Sequence, residues 1–299
     1  MIIVKFDAGL GNQMLQFAHY TALQQRYPGS RVVADIRRYN IIPIHNGLEL
    51  ERLFPIQLNV LLGKRTNRIT AIGRYWHFAA YQLSKAFFNT GLNKFRLIRD
   101  SGALNSELFH LDTKRNYYLE GQWGNEKYFE NAKDQVRKHL TFKLPLDPVN
   151  ENLAREIRSA NSVSVHIRRG DYIGNSSFID LCIGDYYPDA FQYITRNVEN
   201  PVFYIFSDNA GWCRQNLKWL QDYQHIFVMG NKGNESYKDM QLMSLCRYNI
   251  IANSTFSWWG AWLNSNAEKI IICPKKLFHD EKKNEKIILE FYPESWVKL

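Results

Sequence analysis

From residue 162 to residue 273, short apolar runs alternate with stretches of helical rhythm, and few folds accept that order. Strands are predicted at 162–167, 202–206, 226–229, 249–252 and 269–273, separated by helices at 187–198, 209–220, 235–246 and 256–264. Each helix is long enough to carry the chain back across a sheet, so successive strands are expected to run parallel in an open, doubly wound α/β layer. The first half starts the same way, with strand 2–6, helix 12–27 and strand 31–34. It then loosens, and resumes with strand 117–119 and helix 125–140. Two prolines in 144–148 mark a linker, and helix 151–159 leads into the second half. With 299 residues, 45% of them apolar, two Rossmann-like domains are expected, at 1–150 and 151–299. Ligands of such sheets bind beyond the carboxyl ends of the strands.

The polar residues that follow the predicted strands are therefore the candidates for chemistry. Strand 162–167 runs into His166, Ile167, Arg168, Arg169, Gly170, Asp171 and Tyr172. Two adjacent guanidiniums offer rigid, permanently charged forks for phosphate oxygens, and Gly170 permits a sharp turn beside them. The same pair, held by Asp171 and other carboxylates, also suits a purely structural ion-pair network. Strand 202–206 ends in Phe206, Ser207, Asp208 and Asn209, where Asp208 serves either as a helix cap or as a nucleoside contact. Strand 249–252 ends in Asn253, Ser254, Thr255, Phe256 and Ser257, then Trp258 and Trp259. Hydroxyls and free amides at a helix N-terminus bind anions, and they also simply cap a core helix. The conjunction of the three strand ends suits a pyrophosphate. There is no Asp-x-Asp pair in the chain to hold a metal beside it.

Gly9, Gly11, Asn12, Gln13 and Met14 sit between the first strand and helix, where a phosphate loop belongs, but Met14 stands in the third glycine's place. With Asp35 closing the next strand, this motif supports an alternative reading as an NAD(P)-dependent oxidoreductase. Asn12 and Gln13 also suit sugar hydroxyls or a helix cap.

Charge is unevenly distributed. From Arg52 to Arg99 there are nine basic residues and no acidic one, so this segment holds the whole net charge of +9. Trp76, Ala80, Leu83 and Phe87 form an apolar stripe with Arg74 and Lys85 beside it, a basic amphipathic helical pattern. It suits peripheral contact with an anionic membrane, or a solvated helical face; no base-reading motif accompanies it, so nucleic acid is not an expected partner. The start at 1–6 lacks a secretory pattern, no apolar run approaches the ~20 residues of a membrane span, and the four cysteines are scattered. A cytoplasmic chain with reduced thiols, peripheral on the inner face of the membrane through the basic segment, is expected.

These motifs resemble the bacterial α1,2-fucosyltransferases of glycosyltransferase family 11, within the GT-B fucosyltransferase superfamily. The resemblance rests on residues 9–18, 166–172, 206–209 and 253–261, and it constrains the basic segment least. It implies two facing Rossmann-like domains with a cleft between them, the first on the acceptor side. It also implies inverting, metal-independent transfer of L-fucose from GDP-β-L-fucose to the 2-hydroxyl of a galactose, in an O-antigen or similar glycan. By motif position, Arg168 resembles the arginine that grips the β-phosphate, with Arg169 beside it. Asn253, Ser254, Thr255 and Phe256, with Asp208, match the donor-binding positions, and Asp239 resembles the acid that reads the guanosine. His166 would face the same pocket, while Gly11, Asn12 and Gln13 would belong to the acceptor side. Asp171, His166 and Asp185 are the candidate general bases, Asp171 being the choice. No cofactor is expected beyond the donor substrate.

Overall fold

The computed structural model describes residues 1–41, 45–61, 95–170 and 177–299. The chain divides into two compact units, Met1–Leu144 and Pro145–Leu299. The division falls six residues before the position expected, because the helix that opens the second unit begins at Pro148 rather than at residue 151.

In the first unit β1 (Ile2–Lys5), β2 (Val32–Asp35), β3 (Phe95–Arg99) and β4 (Asn116–Glu120) form a parallel sheet in the order β2-β1-β4-β3. The residues of β1 and β2 are all buried, as expected of parallel strands covered on both faces. Helix α1 (Leu10–Arg26) is buried nearly all round. Among its polar members Gln16 is bonded inward, accepting from the Asp7 amide at 3.0 Å and donating to the Gly121 carbonyl at 3.1 Å. His19 stacks on Trp123 with centroids 5.0 Å apart and meets the edge of Tyr128 at 5.1 Å.

Two expectations fail locally. The end of the basic segment is an edge strand, β3, because Phe95 and Leu97 alternate with Arg96 and pack on the Ile3, Val33 and Tyr118 cluster. Its arginines pair outward, Arg96 with Glu107 and Arg99 with Glu120, which suits a strand that must resist pairing with other chains. Residues 62–94, with the Trp76, Ala80, Leu83 and Phe87 stripe, lie outside the described residues. The helix expected over 125–140 is divided: Asn125 caps a 3₁₀ turn at Glu126–Ala132, Phe129 leaves helical geometry, and α2 (Lys133–His139) follows.

The second unit holds α3 (Pro148–Ser159), β5 (Asn161–Ile167), α4 (Tyr186–Asn197), β6 (Pro201–Ser207), α5 (Ala210–Asn216) and β7 (His225–Phe227). Then come α6 (Tyr237–Leu245), β8 (Tyr248–Ile250), α7 (Thr255–Leu263), β9 (Ile271–Cys273), α8 (Glu281–Phe291) and β10 (Val297–Lys298). All six strands are parallel, in the order β10-β9-β8-β5-β6-β7. Alternation along β6 builds both faces: Phe203 and Ile205 join the α4 cluster, while Tyr204 and Phe206 pack on α3 and α6. Strand β5 sends Val163, Val165 and Ile167 to the first face and Ser162, Ser164 and His166 to the other. Ser164 is satisfied there by the Asn249 amide at 2.7 Å. Among the described residues, no helix is long and apolar enough to cross a membrane.

Burial holds the His19 imidazole down to about 3, and Arg26 adds to the shift. A folded-state value below the ordinary 6.5 means that the neutral ring favours the fold. The resulting stability is complete above pH 6.5 and is lost as pH falls from there towards 3, at up to about 1.4 kcal/mol per pH unit. His19→Phe is expected to remove about one proton of uptake from unfolding between pH 6 and 5, read from urea denaturation. An unchanged pH slope would mean that the ring is charged in the folded protein.

Candidate active site

The parallel register that sets Ile167 beside Ser207 brings the next residues, Arg168 and Asp208, together at the carboxyl edge of the sheet. Asp208 accepts from three donors: the Arg169 amide at 3.0 Å, the Gly170 amide at 3.0 Å and Arg168 Nη1 at 3.1 Å. A Cβ on Gly170 would lie 2.8 Å from Asp208 Oδ2, so glycine is required here for close approach. Asp208 is thus not the helix cap; its side chain, 24% exposed, is held by these donors at the sheet edge. The cap of α5 is Asn209, which accepts from the Trp212 amide at 3.1 Å.

The two arginines separate. The Arg168 side chain is 30% exposed at the sheet edge, whereas that of Arg169 is 9% exposed. Arg169 Nη1 donates to Asp180 at 2.8 Å, and its guanidinium lies 3.3 Å from the centre of the Trp212 ring. This arginine is held inside the unit and is not presented to a donor phosphate, contrary to expectation. Consecutive residues on extended backbone point to opposite faces, which is the physical reason for the division. Asp180 and Trp212 come from segments that sequence alone does not connect to Arg169.

On the other side of β5, helix α7 starts from the adjacent strand β8. Ser254 caps it, accepting from the Phe256 amide at 3.3 Å, and no acidic residue occupies its first turn. Thr255 and Phe256 are half-buried, and the Phe256 ring lies 5.8 Å from that of His166. Trp258 and Trp259 are fully buried and serve packing. Asn253 does not face the opening as expected: its amide donates to the carbonyls of Ile179 at 3.0 Å and Leu277 at 3.3 Å, binding two loops. His166 is buried, and Tyr187 donates to its carbonyl at 2.7 Å. Burial, then the nearby Arg168, holds its imidazole down to about 3, so it is neutral and a weak base.

Asp239, in the first turn of α6, is half-buried and accepts from Asn231 at 2.8 Å. Its burial raises the carboxyl to about 7, opposed by the Asn231 hydrogen bond. Asp185 is exposed at the start of α4, on the rim of a hollow of about 260 Å³ that Ile183, Tyr186 and Lys275 also line. Asp171 lies outside the described residues.

In the first unit the loop motif is largely structural. Gln13 is fully buried and donates to the carbonyls of Ala8 at 3.1 Å and Gly47 at 2.8 Å while accepting from the Glu49 amide at 2.9 Å, so both of its N–H groups are spent on loop backbone and its side chain is closed off from solvent. Gly11 is buried in the first turn of α1, and Asn12 beside it is half-buried. Asp35 is consumed by Arg37, which grips both oxygens at 2.8 and 2.7 Å, and by the Tyr118 hydroxyl at 2.8 Å. No acceptor remains for a ribose, which removes the acid that the oxidoreductase reading needs. Among the described residues no group of three or more His, Cys, Asp or Glu side chains is placed to hold a metal ion.

The model of glycosyl transferase family 11 matches residues 1–299. The chain belongs to this family. An alpha-1,2-colitosyltransferase of Escherichia coli is 34% identical, over 100% of this chain and 99% of that protein. The O-antigen biosynthesis glycosyltransferase WbnK, also of E. coli, is 30% identical over 98% of each. A galactoside alpha-(1,2)-fucosyltransferase 1 of Mico humeralifer is 27% identical over 46% of this chain and 40% of its own length. The solved NodZ alpha-1,6-fucosyltransferase soaked with GDP-fucose superposes with a TM-score of 0.52 at 15% identity, covering 88% of this chain and 91% of that one. That likeness concerns the fold, which is of the GT-B type expected. The protein is a glycosyltransferase, and the nicotinamide reading falls.

The unequal placement of the arginines sets their effects on stability. Arg169→Ala removes the charged partner of the half-buried Asp180 and the packing on Trp212, and is expected to lower the unfolding free energy by about 2–3 kcal/mol. Arg168→Ala, at a partly exposed pair, is expected to change it by less than about 1 kcal/mol. Urea denaturation of both variants is the check, and equal losses would contradict the assignment.

Proposed function

We propose that this glycosyltransferase moves L-fucose from GDP-β-L-fucose to the 2-hydroxyl of a terminal galactose, with inversion and without a metal ion. The acceptor is proposed to be an O-antigen or similar glycan. The observation that carries the reading is Arg168: a guanidinium with a fixed partner, half-exposed at the carboxyl end of the central strand, next to the capped N-terminus of α7, in a family 11 chain. In the reaction the acceptor oxygen attacks C1 of the fucose, the bond from C1 to the β-phosphate oxygen breaks, and the electron pair leaves on GDP. Negative charge grows on that oxygen as the bond lengthens, so a guanidinium aimed at it stabilises the transition state more than the ground state. Asp208 keeps Arg168 in place before the donor arrives, and the α7 N-terminus with Ser254 and Thr255 offers amides and hydroxyls to the remaining phosphate oxygens. The proton of the acceptor hydroxyl is assigned to Asp171, since His166, held near 3, is the poorer base.

A second donor merits a place beside GDP-fucose. The whole-length relative at 34% identity is named for colitose, whereas the galactoside fucosyltransferase aligns with less than half of this chain. The general chemistry at the phosphate is the same for either sugar. Peripheral membrane attachment through the basic residues between Arg52 and Arg99 is part of the proposal and is tested by salt-dependent fractionation.

Transfer is expected in EDTA with GDP-fucose and a panel of β-galactosides, giving an α1,2 linkage by product analysis; loss of activity on chelation would end the metal-free mechanism. Arg168→Ala and Arg168→Lys are both expected to lower kcat by at least about 100-fold, since lysine is a point charge without the fork. Near-normal turnover of the lysine variant would show that the planar fork does not matter.

A further inference from the structure

The acid in the first turn of α6 has surroundings that a structural carboxylate would not need. Lys238, its neighbour in sequence, turns its ammonium to Asp147 at 2.9 Å and to Glu235, so the nearest cation is spent elsewhere. Those contacts raise the Lys238 ammonium above its ordinary value and hold Asp147 below the usual carboxylate range. Asp239 is left with a neutral amide on Oδ1, and among the described residues no side chain donates to its Oδ2.

That amide belongs to a chain of hydrogen bonds. Asn231 Nδ2 donates to Asp239 Oδ1 at 2.8 Å and to Asn150 Oδ1 at 3.0 Å, while Asn150 Nδ2 donates back to Asn231 Oδ1 at 3.0 Å and onward to Asp147 Oδ2. Carboxylates stand at both ends and only accept, so each amide must turn its NH₂ outward and the orientation of the pair is fixed. Asp147 is anchored in turn as the cap of α3, accepting from the amides of Val149 at 3.0 Å and Asn150 at 3.1 Å. Gly230, with φ of 101°, makes the turn after β7 that delivers Asn231 to the carboxyl edge of the sheet.

We propose that Asn231, backed by Asn150, is a positioning residue that holds the Asp239 carboxylate open for a flat edge bearing two adjacent N–H donors, the edge that guanine has and adenine lacks. This rests on the reading of Asp239 as the acid that faces the nucleobase. The chain explains why a half-buried acid is kept without a cation: an ammonium on it would occupy the lone pairs that the base uses. The ionisable groups on the surrounding elements are Lys238, Glu235 and Tyr237 beside it, Lys232 next to Asn231, Asp147 at the cap of α3, Glu151, Arg155, Glu156 and Arg158 on α3, and Tyr204 on β6; α7 carries none. Of these, Glu151 and Arg158 face each other.

The test is calorimetric titration of the full chain with GDP and with ADP, from pH 6 to pH 9. In the wild type GDP is expected to bind more tightly as pH rises through about 7, where Asp239 ionises, and ADP to bind weakly throughout. Asn231→Leu removes a donor that favours the charged carboxylate. It is expected to weaken GDP about tenfold or more at pH 7, with the rise displaced to higher pH and ADP unaffected. Asn150→Leu should shift the profile in the same direction by less. Should the leucine variant of Asn231 not fold, Asn231→Ser shortens the side chain out of reach and reports the same displacement. Asp239→Asn separates the two levels of the argument. If it binds GDP like the wild type, the reading of Asp239 fails; if it loses GDP while the Asn231 variants keep the wild-type profile, the positioning role alone is overturned.

Discussion

Asp208 accepts at once from two successive backbone amides and a guanidinium, and the parallel pairing of β5 with β6 is what permits it. A carboxylate has room for about four hydrogen bonds, so three of its positions are fixed by one turn of chain. The turn can come this close only because residue 170 has no side chain, a Cβ there falling 2.8 Å from the carboxylate. The backbone that carries both arginines is thereby fixed, and the charged head of Arg168 has a resting place that a more highly charged diphosphate can share or take over. In the proposed reaction this is preorganisation: the donor meets a guanidinium already oriented, and little rearrangement is required as charge develops.

The alternating strand and helix pattern was legible because apolar runs of five or six residues bounded by polar turns leave little ambiguity. Nearly every strand of the second unit begins and ends within two residues of the expected place, and the three strand-end motifs lie on adjacent strands. What each polar residue does there was less legible. His166, Arg168 and Arg169 look alike in sequence as neighbours of a phosphate, but pleating sends Arg169 inward to Asp180 and Trp212, partners 11 and 43 positions further along. Nothing local announces those partners. Asp35 was a different kind of failure, since the arginine that consumes it stands only two residues away and carries its own signal.

Amides were the residues most often misread. Gln13 and Asn253 stand where a sugar or phosphate contact would be sought, yet each spends its side chain tying loop carbonyls to a buried helix or strand end. The reason is general: irregular backbone at the edge of a doubly wound sheet leaves orphan carbonyls and amides that must be bonded once buried. A neutral amide does this at lower desolvation cost than a charge. Asn231 belongs to the same class of stitching residue but ends on a carboxylate rather than on backbone. That distinction is invisible in composition and visible only in the bonding pattern.

Among the described residues at the carboxyl edge of the second sheet, Arg168 is paired with Asp208 and Arg169 with Asp180, so each of these two cations is matched by an acid. In the proposed reaction, attraction for a diphosphate draws on the Arg168 guanidinium together with the first-turn amides of α7 and the local dipole of that helix, whose first turn holds no acid. Such a site discriminates by geometry more than by net charge. A ligand that reaches the helix N-terminus and the arginine together gains hydrogen bonds from both. Arg168 and the α7 N-terminus follow adjacent strands β5 and β8, so in the proposed reaction a diphosphate can engage both where an isolated phosphate engages one.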